Sequence, residues 1–180
     1  MPAVKAVARV PVALALVVAC CPPAWAADKI QAAGDVLQVA LPSAAAVATL
    51  AQRDAAGAKQ LAFSLGVTWA VTTALKYTIN ETRPNGGDLS FPSGHTSTSF
   101  ASAEFMRRRY GWKWGGSFYA LAAFVGYSRV ESQNHYTHDV VAGAAIGIAS
   151  SFLFTTPRQH WTAAVTGDTH GGQFSLSRVW

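Results

Sequence analysis

Five stretches of this chain share one pattern of positions. Val36–Gln52, Lys59–Asn80, Gly94–Arg109, Gly115–Ser128 and Asp139–Phe154 are long, Ala-rich and mostly free of proline, which predicts helices rather than strands. Breaks rich in turn formers separate them: Arg53–Gly57, Arg83–Ser93, Gly111–Gly116 and Val130–His138. The C-terminal tail, residues 157–180, follows another rule, because Trp161–Thr166 and Gln173–Val179 flank Gly167–Gly172 in a hairpin-like pattern. The expected fold class is therefore all-α, a compact bundle of about five helices. A short C-terminal β-hairpin is left open, as an ordered appendage packed on the bundle.

The first 26 residues read as an export signal and not as part of the fold. Lys5 and Arg9 make a positive start, Val10–Cys21 is apolar, and Ala24-Trp25-Ala26 supplies small residues for cleavage. The domain then runs over residues 27–180. An alternative lies in Val17-Val18-Ala19-Cys20, which has the form of a lipoprotein cleavage box; the Ala-Trp-Ala site is preferred. Both cysteines, Cys20 and Cys21, fall inside the leader, so the mature domain relies on packing without disulfides.

At 180 residues, 51% hydrophobic and 13% charged, the chain suits one domain with a real core. The formal net charge is +5, but apart from Arg107-Arg108-Arg109 the basic residues stand singly. That speaks against nucleic acid as a partner and for anionic small substrates or association with a lipid surface. Val140–Pro157 is uncharged for 18 residues, just the length of a candidate membrane span. From His95 to Arg107, however, there are only 12 positions, about 18 Å of helix against a hydrocarbon core of roughly 30 Å. An exported, periplasmic bundle packed on itself is preferred to an integral membrane protein.

Charge is rare in the predicted helices, so where it gathers it needs a partner or a task. Arg129 stands six positions before His135 and Asp139 four after it, between the uncharged stretches Tyr119–Tyr127 and Val140–Phe154. Two further groups are Lys76 with Arg83-Pro84, and Pro92-Ser93-Gly94-His95. Lys76, Arg83 and Arg129 are three cations suited to the oxygens of a phosphoester, two of them guanidinium forks. Ser93 and Gly94 open a helix whose first free N–H groups form an anion seat. His135 has the properties of a nucleophile, with Asp139 placed to accept its second N–H and fix the tautomer.

Read in order, the three groups are KxxxxxxRP, PSGH and SRxxxxxHxxxD. This resembles the type 2 phosphatidic-acid phosphatase superfamily, which includes bacterial class A acid phosphatases, lipid phosphatases and vanadium haloperoxidases. Every signature position is matched between Lys76 and Asp139, and the resemblance runs on to about Gly147. It implies that His135 attacks phosphorus to give a phosphohistidine, and that His95 protonates the leaving oxygen and then activates water. Lys76, Arg83, Ser93, Gly94 and Arg129 would bind phosphate, and no metal or cofactor would be needed. The substrates implied are phosphomonoesters or lipid phosphates and pyrophosphates, with export and apolar composition leaning toward a lipid.

Two other readings use the same residues. A vanadium haloperoxidase would seat vanadate on His135, and a non-catalytic module would bind an oxyanion or a metal. His135, His138, Asp139 and His95 can be drawn as a zinc site, but three neighbouring cations would repel a divalent ion. His138 is then a pocket wall or helix cap, and His160 and His170 are tail surface residues. Glu81, Asp88 and Glu131 are expected as solvated loop charges, with Glu131 a candidate partner for Arg129. Gly143 and Gly147 permit close helix packing in water or lipid.

Overall fold

The computed structural model describes residues 24–158, 160–168 and 171–179. The leader, apart from its last three residues, lies outside that range, as do Cys20, Cys21 and His170. Five helices follow: α1 (Ala24–Ala51), α2 (Ala55–Ile79), α3 (Gly94–Tyr110), α4 (Trp112–Glu131) and α5 (Thr137–Phe154). The all-α bundle expected from the sequence is present.

The helix ends follow local chemistry. The Asp54 side chain accepts from the Gly57 N–H at 2.9 Å and caps α2, which closes on Asn80 in the left-handed region at φ 46°. Ser93 caps α3 and accepts from the Thr96 hydroxyl at 2.9 Å. Asp139 accepts from the Tyr136 N–H at 2.9 Å and closes the start of α5. Between α3 and α4 the expected break of six residues contracts to Gly111 alone, whose φ of 88° lets the chain reverse within one residue.

The largest departure is at α1, which begins twelve residues before the expected Val36 and runs through Pro42. The polar stretch around Gln31, Gly34 and Asp35 falls outside the helices expected from the sequence. In the fold it is held helical against Arg129, which donates to the Gln31 carbonyl at 2.8 Å and to Asp35 at 2.7 Å.

α3 is the central helix and contacts the other four. Its seam with α5 is built from small residues. A Cβ at Gly143 would lie 2.5 Å from the Ser93 carbonyl oxygen, and one at Gly147 would lie 2.2 Å from that of Ser97, so only glycine fits. The Ser151 hydroxyl closes the same seam on the Ala101 carbonyl at 2.6 Å.

Beyond the helices, β1 (His160–Asp168) pairs antiparallel with β2 (Gly171–Val179), from His160 opposite Val179 to Asp168 opposite Gly171. The hairpin pattern is therefore present. Among the described residues neither strand contacts a helix, so the hairpin is not seen packed on the bundle, whereas the start of the tail is, the Arg158 N–H donating to the Arg109 carbonyl at 3.1 Å.

Beside an apolar core of Leu41, Leu61, Phe105, Met106 and Val125, the bundle buries many hydroxyls and exposes many large apolar side chains. Buried side chains include Ser64, Thr68, Thr72, Ser97, Ser99 and Ser102, whereas Val36, Leu50, Phe63, Trp69 and Leu153 are each more than half exposed. Asp28–Ala51 and Thr137–Phe154 are long and apolar enough to cross a membrane.

At the end of the bundle away from the α3 N-terminus, two ion pairs absorb buried charge. Glu104 takes Arg107 in a forked contact of 2.5 and 2.6 Å and the Tyr119 hydroxyl at 2.6 Å. Asp54 takes Arg109 at 2.6 and 2.7 Å and Tyr110 at 2.9 Å, and both members of that pair are nearly buried. Replacing Arg109 by Met should leave the Asp54 carboxylate buried without its cation and cost about 3–5 kcal/mol. Denaturant unfolding of the purified protein measures this, and a loss below about 1 kcal/mol would show that the pair behaves as a surface ion pair.

Candidate active site

All eight residues selected from the sequence converge on one end of the bundle. Lys76 stands in the last turn of α2, Gly94 and His95 open α3, Arg129 lies near the end of α4, and His135 sits in the loop before α5. Together with Arg83 from the α2–α3 loop they line a cavity of about 410 Å³. Ser93 and Asp139 lie behind its wall, both fully buried.

His135 is 3% exposed, and its Nδ1 faces Asp139 Oδ2 at a long 3.4 Å. The same oxygen accepts from the Ser90 hydroxyl at 2.5 Å and the Tyr136 N–H at 2.9 Å, so the carboxylate is fixed before it meets the ring. Nε2 is then the nitrogen left for the cavity. Burial is the main reason the His135 pKa falls from 6.5 to about 4; Lys76 and Arg83 lower it further, and Asp139 opposes them. The ring is therefore neutral at pH 7, the form that can act as a nucleophile or ligand.

The cations are positioned from behind. Lys76 Nζ donates to the carbonyls of Leu89 at 2.6 Å and Ser90 at 3.2 Å, and Arg83 Nε to that of Asp88 at 3.0 Å. These partners are neutral and leave the charge uncompensated. A Cβ at Gly94 would meet nothing nearer than Lys76 Cε at 3.8 Å, so packing does not demand glycine, and the space it leaves belongs to the cavity. The Ser93 hydroxyl is spent on the α3 cap and on Thr96. Its contribution to an anion is the helix end it shapes.

Two expectations for acidic residues change. Arg129 pairs with Asp35 rather than Glu131, through Nη1 at 2.7 Å. Glu81 is not simply solvated, because its carboxylate contacts His138 Nε2 at 3.0 and 3.2 Å. His138 occupies the first turn of α5 and stacks on Tyr136 at 5.3 Å between centroids. Asp139 Oδ1 lies 3.2 Å from His138 Nε2 but has no partner in hydrogen-bond geometry. Glu81, His138 and Asp139 are thus the described residues whose ligand atoms could share a metal ion, a different set from the one drawn on the sequence. Their contacts equally suit an imidazole lying between two carboxylates.

Sequence reasoning missed Gln31, Asp35 and Asn134, which also line the cavity. Asp35 matters most, because Oδ1 lies 3.0 Å from His95 Nε2 as well as 2.7 Å from Arg129. It is the one charged residue between Ile30 and Gln52, so the rule that singled out Arg129 would have singled it out too. Gly34 beside it lets α1 come close: a Cβ there would lie 2.0 Å from the Ser128 hydroxyl.

A membership follows from this arrangement and from comparison with known proteins. The PAP2 superfamily model matches residues 57–163, and the chain belongs to that superfamily. Among relatives, a lipid A 4'-phosphatase of Helicobacter pylori is 33% identical over 135 residues, covering 68% of each chain. A lipid A 1-phosphatase of Porphyromonas gingivalis is 36% identical over 91 residues, 48% of this chain and 20% of that one. The chain thus spans between a fifth and about two thirds of the length of these two relatives. The crystal structure of Aquifex aeolicus LpxE superposes with a TM-score of 0.66 over 79% of this chain and 92% of that one, at 19% identity, which supports the fold. The family expected from the three motifs is the one found, and the relatives named are phosphatases.

An anion entering the cavity must displace or accommodate Asp35. Asp35→Asn removes a negative charge from beside Arg129, and inorganic phosphate should then bind about tenfold more tightly by calorimetric titration, equivalent to about 1.4 kcal/mol. Unchanged or weaker binding would show that Asp35 holds Arg129 and His95 in place without competing with the ligand.

Proposed function

We propose that this protein is a lipid phosphatase that removes phosphate from a membrane lipid through a phosphohistidine, without a metal ion. The observation that carries the reading is the convergence of His135, backed by Asp139, with His95, three cations and the α3 N-terminus on one cavity. In the first step neutral His135 Nε2 attacks phosphorus. The P–O ester bond breaks as His95 gives its proton to the leaving oxygen. In the second, His95 takes a proton from water, whose oxygen attacks the same phosphorus; the P–N bond breaks and free phosphate and both imidazoles are restored. Lys76, Arg83 and Arg129 hold the phosphoryl oxygens as charge redistributes. An arriving dianion also offsets the field of Lys76 and Arg83 on His135, restoring some of the basicity that burial and the cations remove.

The substrate class proposed is a phosphomonoester on a lipid, with lipid A phosphates favoured by the names of the relatives. The surface supports lipid surroundings: large apolar side chains face outward on α1, α2, α4 and α5, over an interior rich in Ser, Thr, Ala and Gly. This moves the reading from an exported bundle in water toward one embedded in a membrane. Arg53, Lys59, Arg107, Arg108, Arg109, Lys113 and Arg158 gather at the end away from the cavity, where Asp54 and Glu104 are the acidic residues among the described residues of the helices and their connections. The positive-inside rule puts that end in the cytoplasm and the cavity on the periplasmic side. The export signal agrees, since it would deliver the start of α1 to the same side.

The test is phosphate release from a lipid A phosphate, an undecaprenyl pyrophosphate and a chromogenic monoester. Release should resist EDTA and fall by at least about a thousandfold in His135→Ala, with the phosphoenzyme lost. His95→Ala should hurt most with poor leaving groups. Release that survives in His135→Ala, or that EDTA abolishes, would sink the mechanism. A higher rate on the chromogenic ester than on either lipid would reassign the substrate class.

The pH profile follows from the two imidazoles. Acid protonates His135 and removes its lone pair, so the acid limb should fall below 6.5, toward about 4. The alkaline limb reports loss of the His95 proton. An acid limb at or above 6.5 would contradict the buried setting of His135.

A further inference from the structure

Resting on the membrane-embedded reading above, we infer that the bundle end away from the catalytic cavity carries a second, non-catalytic site for an anionic phospholipid, with a basic headgroup chamber joined to an apolar acyl chamber. The headgroup chamber is a cavity of about 430 Å³ between the end of α3, the start of α4 and the segment after α5. Gln52, Arg108, Arg109, Trp114 and Arg158 line it. A second cavity of about 420 Å³ is lined by Ala48, Met106 and Phe118, and shares Gln52 and Trp114 with the first. One opening is basic, the next is apolar, and the two residues common to both are an amide and an indole, the pairing found where lipid headgroups meet acyl chains.

Charge bookkeeping shows what the basic chamber would accept. Arg109 is matched by Asp54. Arg108 donates to the Thr155 carbonyl at 2.6 Å and lies over the Phe152 ring at 3.8 Å, while Arg158 is forked on the side chain and carbonyl of Gln52. Neither Arg108 nor Arg158 has a carboxylate partner among the described residues. Their neutral partners hold the guanidinium groups in place and leave two positive charges facing the chamber. That geometry selects a phosphate, and basic pockets on the cytoplasmic side of membrane bundles are suited to anionic headgroups.

The apolar chamber distinguishes a lipid from a free anion. Ala44 and Ala51 of its wall are exposed on α1, so it opens sideways where an acyl chain would run along the helix. Trp112 and Trp114, 68% and 54% exposed, flank Lys113 at the same level and mark this end as a membrane interface. The site shares no lining residue with the catalytic cavity.

The test uses the purified chain with phosphatidylglycerol, a diester outside the proposed monoesterase chemistry. Phosphatidylcholine serves as the neutral lipid and glycerol 1-phosphate as the headgroup alone. Bound lipid is read by native mass spectrometry from detergent, in a His135→Ala background so that the catalytic site turns nothing over. Phosphatidylglycerol should be retained in preference to phosphatidylcholine, and the Arg108→Gln/Arg158→Gln pair should weaken it roughly tenfold or more. Ala48→Phe, which fills the acyl chamber without touching a charge, should weaken it as well, and glycerol 1-phosphate should bind far less tightly than the lipid.

Folding of the variants is checked by phosphate release with His135 intact, which none of them should change; if the arginine pair proves misfolded, Ala48→Phe decides. Equal retention of both lipids, or undiminished retention in the variants, overturns the site and leaves the membrane reading standing. Retention of neither lipid overturns both. Binding of glycerol 1-phosphate as tight as that of the lipid overturns the acyl chamber and leaves a simple anion site. The phosphatase reading is judged by phosphate release alone.

Discussion

The contact on which this structure depends is the backbone-level approach of α5 to α3. At Gly143 and Gly147 the two helices come so close that any side chain would overlap the carbonyl oxygens of Ser93 and Ser97. The same contact positions the chemistry. Ser93 caps the helix that presents His95, its N–H donates to the Asp139 carbonyl at 3.0 Å, and Asp139 in turn backs His135. His95 and His135, the proposed general acid and nucleophile, are thus held in one frame by two glycines and a cap, and movement at the seam would be felt by both imidazoles.

Such a seam suits the rest of the bundle. Its interior is rich in Ala, Ser, Thr and Gly around a few larger apolar residues such as Phe105, Met106 and Val125, and many of its large apolar side chains point outward. In water that arrangement would leave little hydrophobic driving force for folding. In lipid it is the expected solution, because association there relies on close van der Waals packing and buried hydroxyl hydrogen bonds. Buried charge is confined to the two ends. At one, Asp54 and Glu104 neutralise Arg109 and Arg107; at the other, Lys76 and Arg83 have carbonyl partners and face a cavity.

That asymmetry separates charge matched by a carboxylate from charge held only by carbonyls. A cation with a buried carboxylate is already satisfied, whereas one held only by carbonyls retains most of its field and calls for an anion. Arg129 is intermediate, since Asp35 reaches it from α1 and also touches His95. The carboxylate occupies a place in the charge balance that a phosphate would otherwise fill. The field on His135 belongs to the same balance, being set by burial and by two cations that a bound dianion would largely offset.

Much of this was legible in the sequence because it is local or carried by residue type. Length, Ala richness, scarcity of proline and turn formers marked five helices, and Ser93, Asp139 and Lys76 sit at the helix ends where capping and dipole chemistry favour them. The three motifs also matched a pattern whose residues the fold brings to one cavity. What the sequence could not supply depends on separation along the chain. Asp35 lies 94 residues from Arg129 and Glu81 lies 57 from His138, and neither pairing has a spacing rule that would reveal it. The early start of α1 is similar, since its polar turn is tied to Arg129, 94 to 98 residues away in the chain. Whether apolar residues face inward or outward was also decided by tertiary structure, because a helix with apolar residues on several faces reads alike in a soluble core and in lipid. Periodicity and capping act within a turn or two of the chain, whereas the pairing of charges and the side of a helix turned to solvent are set by which helices meet.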